Sequence, residues 1–172
     1  PIAVEIASVV GVGDIIRTDE TGEARITFFA DGTDTTILPN SEYRIVEFQE
    51  EGDDEFTLMV EVIIGETTQR LNRVLGAAST YDVQTPGMTL AARGTDFAIR
   101  VEANGRSAML VSEGTVNAEA EANSANVPAE FGLRSEENGP LSDVVRASTF
   151  DQLDAALDGC TASITAIDDV SL

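Results

Sequence analysis

The chain has no histidine, lysine or tryptophan, and Cys160 is its only cysteine. These absences exclude a lysine-dependent phosphate-binding loop, Schiff-base chemistry and nucleophilic catalysis assisted by an imidazole. One thiol neither forms an internal disulfide nor supplies the ligands of a zinc site, so we expect Cys160 to act as a small packing residue. No apolar run reaches the roughly 18 residues of a membrane span. We therefore expect a protein that is not an enzyme and has no cofactor, except for the calcium considered below.

Charge of one sign is also scarce. Against 31 Asp and Glu there are only 10 cationic residues, all Arg, which gives a net charge of -21. An anion of this size is repelled by nucleic acid, and it suits a cationic partner, dissolved calcium or salty water. The turn carboxylates Asp31, Asp34, Asp53 and Asp54 are candidate calcium ligands, because calcium takes six to eight oxygens. They lack EF-hand spacing, and solvated acidic turns are the favoured interpretation.

Short runs with alternating apolar residues fill the first 120 residues, separated by Gly, Pro, Asn and Asp turns, which favours strands. The predicted strands cover 24–29, 35–38, 42–48, 56–64, 81–85, 89–92, 97–102, 108–111 and 115–118. Asn104-Gly105 predicts a two-residue hairpin turn, since both residues tolerate positive φ. Many short, evenly spaced strands are typical of a β-sandwich or barrel. We expect Leu90, Phe97, Ile99, Met109 and Val111 to lie in its core.

Helical signals are few. Residues 149–158 have apolar Phe150, Leu153 and Leu157 on one face, with Ser148 or Thr149 as N-cap and Gly159 as the stop, which predicts one helix. Residues 67–75 fit either a helix or an irregular strand. Residues 119–126 and 135–140 are polar and small, which indicates loops or frayed strand ends. The β-rich unit is therefore expected to end near residue 145.

Several spaced motifs resemble a known family. They are GDIIRT at 13–18, ARITF at 24–28, DGT at 31–33, LPNSEY at 38–43, YDVQTP at 81–86, ARGTDF at 92–97, VSEGTV at 111–116, PAE at 128–130 and GPLS at 139–142. Together they resemble a FecR domain over about residues 9–145. The resemblance implies an all-β, jelly-roll-like sandwich outside the cytoplasm. The founding members are periplasmic parts of anti-sigma regulators, and other relatives belong to secreted or surface proteins.

The end of the chain has a second resemblance. Residues 160–165 (CTASIT) and 168–172 (DDVSL) resemble the first strands of a bacterial SH3-type domain, without its Arg-x-Gly-Pro turn. We accordingly divide the chain into a FecR-like β domain at 1–145 and a helix and linker at 146–172, the latter including the beginning of a truncated SH3-type module.

Two motifs are singled out as candidate sites. In Arg93-Gly94-Thr95 the guanidinium is able to hold an anionic ligand. The favoured interpretation is structural, with Gly94 at a bulge or positive φ and Arg93 paired with Asp14 or Asp96. Gly13-Asp14 is similarly expected to shape a turn, with the carboxylate as its cap.

The main functional hypothesis is an interaction or structural module of a secreted or cell-surface protein. We expect its partner to be a protein, either a neighbouring surface module or another copy, and we expect assembly into a filament or matrix by strand exchange through residues 1–10 or 161–172. The alternative is a periplasmic sensor or ligand-binding domain of an anti-sigma regulator that controls transport genes.

Overall fold

A computed structural model of the chain describes residues 8–28, 32–50, 55–71 and 78–159. It is built almost entirely from strands, as the alternating apolar pattern predicts. The strands are β1 (Ile15–Arg17), β2 (Ala24–Phe28), β3 (Thr33–Ile37), β4 (Glu42–Glu50), β5 (Phe56–Arg70), β6 (Thr80–Gln84), β7 (Thr89–Ala92), β8 (Asp96–Val101), β9 (Ser107–Glu113), β10 (Thr115–Glu119), β11 (Ser124–Pro128), β12 (Phe131–Ser135) and β13 (Val145–Arg146). One helix, α1, covers residues 150–159.

The strands form two layers that share β5. The first sheet has the order β1-β4-β5-β6-β7-β10-β11, and the second has the order β2-β3-β5-β8-β9-β12-β13. The N-terminal part of β5 pairs with β4 and, in parallel, with β6. Its C-terminal part pairs with β3 and β8. The remaining pairs are antiparallel, so the fold class predicted from the sequence, a jelly-roll-like sandwich with one short helix, is confirmed.

Strand β5 changes sheets at Gly65, which has a φ of 98°. A Cβ at this position would lie 2.5 Å from the Cα of Ser41, so only glycine fits the corner without a shift. Ser41 fixes the corner because its Oγ accepts a hydrogen bond from the backbone N–H of Glu66 at 2.9 Å. The bend therefore allows one strand to serve both layers.

The main core lies between the sheets. Alternate residues of β5 point inward, with Leu58, Val60 and Val62 fully buried. The five residues predicted to be core are all buried, which confirms their assignment; they are Leu90, Phe97, Ile99, Met109 and Val111.

Helix α1 lies outside the sandwich, on the outer face of the second sheet. Its N-cap is Thr149, whose Oγ1 accepts a hydrogen bond from the N–H of Gln152 at 3.2 Å. Phe150 and Leu153 pack against Ala108 and Leu110 of β9. The predicted helix is confirmed, with bounds that differ by one residue.

Local structure differs from the expectation at several places, and β1, β12 and β13 are strands that the sequence did not predict. Residues 67–70 belong to β5, so the strand interpretation is confirmed for them and the helix interpretation is wrong there. Residues 72–77 lie outside the described residues. From the sequence, residues 119–126 are expected to be a loop or a frayed strand end, but 124–126 lie in β11, which pairs with β10 over five residues. The turn after β8 closes by a hydrogen bond from the N–H of Glu102 to the carbonyl of Arg106 at 2.9 Å, and only Gly105 there has a positive φ, so the loop has three residues instead of two.

Candidate functional site

The outer face of the second sheet is only partly covered by α1. Beside the helix lies an open groove of about 950 Å³. It is bounded by β2 and β3 on one side and by Glu130 and Ser148 on the other. We call this concave surface the second-sheet groove.

Strand register builds the floor of the second-sheet groove. Thr36 of β3 lies opposite Thr68 of β5, and Thr68 lies opposite Ala98 of β8. Ala98 in turn lies opposite Leu110 of β9. Because alternate residues point to one face of a sheet, these four side chains share the outer surface in a single cross-strand row. The floor is shallow and mixed, with two hydroxyl groups followed by two apolar side chains.

A second row, of charges, borders this floor. Asp34, Arg70 and Asp96 lie opposite one another on β3, β5 and β8. Arg70 forms an ion pair with Asp96 at 3.4 Å, and Arg25 of β2 forms one with Asp34 at 2.5 Å. The Arg25 hydrogen bond, with a second from the Thr27 hydroxyl, lowers the pKa of Asp34 below its ordinary value. The carboxylate therefore stays ionised at neutral pH, which suits hydrogen bonding to a ligand better than proton transfer.

Arg25 and Arg70 remain accessible, with side chains 67% and 77% exposed, while Asp34 lies lower at 19%. The groove thus presents guanidinium groups above carboxylates, together with threonine hydroxyls. Such a mixed polar surface is typical of the polar rim of a protein interface.

Sequence reasoning missed the groove. It named Asp34 for another reason, and it did not name Arg25, Thr68 or Arg70. The available signal was the alternation in 33–37 and 66–70, which predicts outward positions once these segments are accepted as strands.

The Arg93-Gly94-Thr95 motif lies at the turn between β7 and β8, where the chain passes from the first sheet to the second. Gly94 has a φ of 58°, and Thr95 is buried. Its Cγ2 lies 2.6 Å from the place that a Cβ of Gly114 would occupy, so this turn packs tightly against the β9–β10 turn. Arg93 is exposed, while Asp96 pairs with Arg70. A ligand role for Arg93 stays a prediction.

Gly13 and Asp14 form a turn before β1. Gly13 has a φ of 90°, and Asp14 Oδ2 accepts a hydrogen bond from the N–H of Gly11 at 2.8 Å. The carboxylate therefore has a local backbone partner, and it lies in the turn where the sequence placed it.

Of the candidate calcium ligands, Asp34 is described and lies within β3, not in the turn predicted for it, whereas Asp31, Asp53 and Asp54 lie outside the described residues. Both oxygens of Asp34 already have partners, Arg25 and Thr27. Over the ranges that the structure describes, no cluster of three or more acidic, cysteine or histidine residues is arranged to hold a metal ion. Calcium binding remains a prediction.

Comparison with known proteins now identifies the family. The model of the FecR protein family matches residues 14–117, more than half of the 172-residue chain. This chain belongs to the FecR protein family. No curated protein matches it.

Two crystal structures have a similar fold, each assigned as an anti-sigma factor from Parabacteroides distasonis ATCC 8503. The first, at 1.65 Å resolution, has a TM-score of 0.65 and 17% identity, with 78% of this chain and 60% of that chain covered. The second, at 2.50 Å, has a TM-score of 0.63, 16% identity and the same coverage. The chain therefore spans 60% of the length of these proteins.

These matches correct the main functional hypothesis. The FecR family match and the two similar structures, both assigned as anti-sigma factors, overturn the interpretation as a self-assembling structural module of a surface protein, which is wrong. The regulator alternative is the better supported one. The strand-exchange segments fall largely on residues 1–7 and 160–172, outside the described residues.

The family match gives no support to the SH3-type resemblance, whose residues 160–172 are not described. Among the described residues, no helix combines the length and apolarity required to span a membrane.

Proposed function

We propose that this chain is the extracytoplasmic, signal-receiving domain of an anti-sigma-type regulator and that it acts by binding another protein. The observation that carries the proposal is the FecR family match over 14–117, which spans β1 to β9 entirely and includes most of both sheets. The similar fold of the two assigned anti-sigma factors supports it.

The second-sheet groove is the surface we assign to the protein partner. Its exposed arginines, carboxylates and threonine hydroxyls supply directional hydrogen bonds, and the partly buried Ala98 supplies apolar contact. Polar groups around a partly apolar floor are the usual composition of a protein interface.

The test uses a reporter gene driven by the cognate sigma factor, in cells that make the complete regulator. Thr68→Trp fills the groove floor, and Asn117→Trp places the same side chain on the outer face of the first sheet as a matched control. Both positions are exposed on strands. We expect Thr68→Trp to change the reporter response by a factor of about five or more, in the range typical of coupled sites, and Asn117→Trp to leave it unchanged.

Two results would count against the proposal, and they differ. Equal responses of the two tryptophan variants would exclude the groove as the partner surface. A reporter that is unaffected by removal of the whole domain would exclude the signal-receiving function itself.

A further inference from the structure

The last described segment is attached to the sandwich from outside. Strand β13 pairs with β12 through only two residues, Val145 and Arg146, and α1 follows directly. Before them, Leu141 is buried in the main core and anchors the chain. We call residues 145–159 the C-terminal latch.

The latch has a small apolar cluster of its own. Phe150, Leu153 and Ala147 pack with Ala108 and Leu110, and this cluster is separate from the core between the sheets. Only Phe150 and Leu153 are large side chains that the helix buries fully there. The contact is therefore much smaller than the interface between the two sheets.

The sheet is shaped to receive this helix. Gly132 of β12 lies beneath Leu153, and a Cβ at Gly132 would lie 3.4 Å from the Cδ1 of Leu153 and 2.5 Å from the carbonyl oxygen of Met109. The guanidinium of Arg100 stacks on the ring of Phe150, 4.3 Å from its centroid. These contacts fix the position of the helix on the sheet.

Ion pairs complete the attachment. Arg134 of β12 reaches Asp154 at 2.8 Å and Asp158 at 2.5 Å. The Arg134 side chain is 14% exposed, whereas Asp158 is 64% exposed. The carboxylates of both pairs are partly open to solvent, so added salt screens these pairs in part.

A helix of ten residues has little stability alone, because the cost of nucleation is recovered only over longer helices. Release of α1 from the sheet therefore also melts it. Local opening of this kind occurs where few buried contacts hold an element.

We propose that the C-terminal latch opens as a separate unit while the sandwich stays folded. Opening frees the chain from residue 145 onward and uncovers an apolar strip of Ala108, Leu110 and Gly132. The inference rests on the packing of this chain and does not depend on the proposed function.

Hydrogen exchange measured by mass spectrometry on the full chain tests the proposal. We expect the amides of 151–159 to exchange at least about tenfold faster than those of β8 and β9 beneath them. Leu153→Ala removes the most completely buried large side chain of the latch, and Arg134→Gln removes both ion pairs. Each should accelerate exchange in the latch alone, while Ala155→Ser on the exposed side of the helix removes no contact with the sheet and should accelerate it by about twofold at most, through its lower helix propensity.

If the latch and the strands exchange at the same rate in the unmodified chain, the proposal is wrong. It is equally wrong if Leu153→Ala or Arg134→Gln accelerates exchange in the latch and in β8 and β9 by the same factor, since one cooperative unit would then include both. Should Leu153→Ala fail to fold, the unmodified chain and Arg134→Gln still decide the question.

Discussion

Polar side chains are buried inside the sandwich beneath β3 and the second half of β5. Thr35 Oγ1 lies 3.4 Å from the Tyr81 hydroxyl, and the Gln69 amide nitrogen donates to Thr67 Oγ1 at 2.8 Å. In the described part of the chain, the Gln69 carbonyl oxygen has no hydrogen-bond partner, and the Tyr43 hydroxyl lies beside Thr35 and Tyr81 without a hydrogen bond of normal geometry. Burial raises the pKa of Tyr43 well above its ordinary value, so this phenol is neutral. An unpaired buried polar group costs about 1 to 3 kcal/mol.

Tyr43→Phe should therefore not destabilise the protein. The change removes a buried hydroxyl that makes no hydrogen bond of normal geometry and keeps the ring, so we expect the free energy of unfolding to stay level or to rise by up to about 1 kcal/mol. Tyr81→Phe is the matched control, because it removes a hydroxyl that faces Thr35, and should cost about 1 kcal/mol. Urea denaturation monitored by circular dichroism measures both. A loss above about 2 kcal/mol for Tyr43→Phe would show that its hydroxyl is hydrogen-bonded in solution.

At the scale of elements, β5 decides the architecture because it belongs to both sheets. Its continuity depends on Gly65, where positive φ and close contact with Ser41 coincide. Gly13 separates these two effects, since it has a similar φ but nothing within 4 Å of its Cβ position.

Gly65→Ala should consequently cost more stability than Gly13→Ala. Positive φ alone costs an alanine about 1 to 2 kcal/mol, and the overlap with Ser41 adds about 1 to 3 kcal/mol of overpacking at Gly65 only. Thermal and urea unfolding of the two variants give the comparison. Equal losses would mean that the corner relaxes around the new methyl group at no cost.

The sequence predicted most elements of this fold but not all of them. Alternation identified 56–64, yet Gly65 interrupted the pattern and left 67–75 open between helix and strand. Strand β11 was missed because it is an edge strand, where Val127 is its only fully buried side chain. The second-sheet groove was missed for a different reason: the row Asp34, Arg70, Asp96 depends on the register of three strands distant in sequence. Local patterning does not specify that register.

At the scale of the whole molecule, charge dominates. At least eight arginines form ion pairs among the described residues; they are Arg17, Arg25, Arg44, Arg70, Arg100, Arg106, Arg134 and Arg146. Acidic residues still outnumber cations by 31 to 10, so most carboxylates have no cation to neutralise them. Mutual repulsion of these carboxylates opposes the compact state.

Added salt should therefore raise the melting temperature. Salt also weakens the exposed ion pairs, but each contributes only about 0 to 1 kcal/mol, whereas screening acts on the whole net charge of -21. Thermal melts in sodium chloride and in calcium chloride at matched ionic strength separate screening from calcium binding.

If the acidic turns are solvated and bind no ion, both salts raise the melting temperature by the same amount. A larger rise in calcium would instead support a bound ion at Asp31, Asp34, Asp53 or Asp54, and Asp34→Asn should then remove part of that excess. A melting temperature that is insensitive to both salts would show that the repulsion is too weak to limit stability.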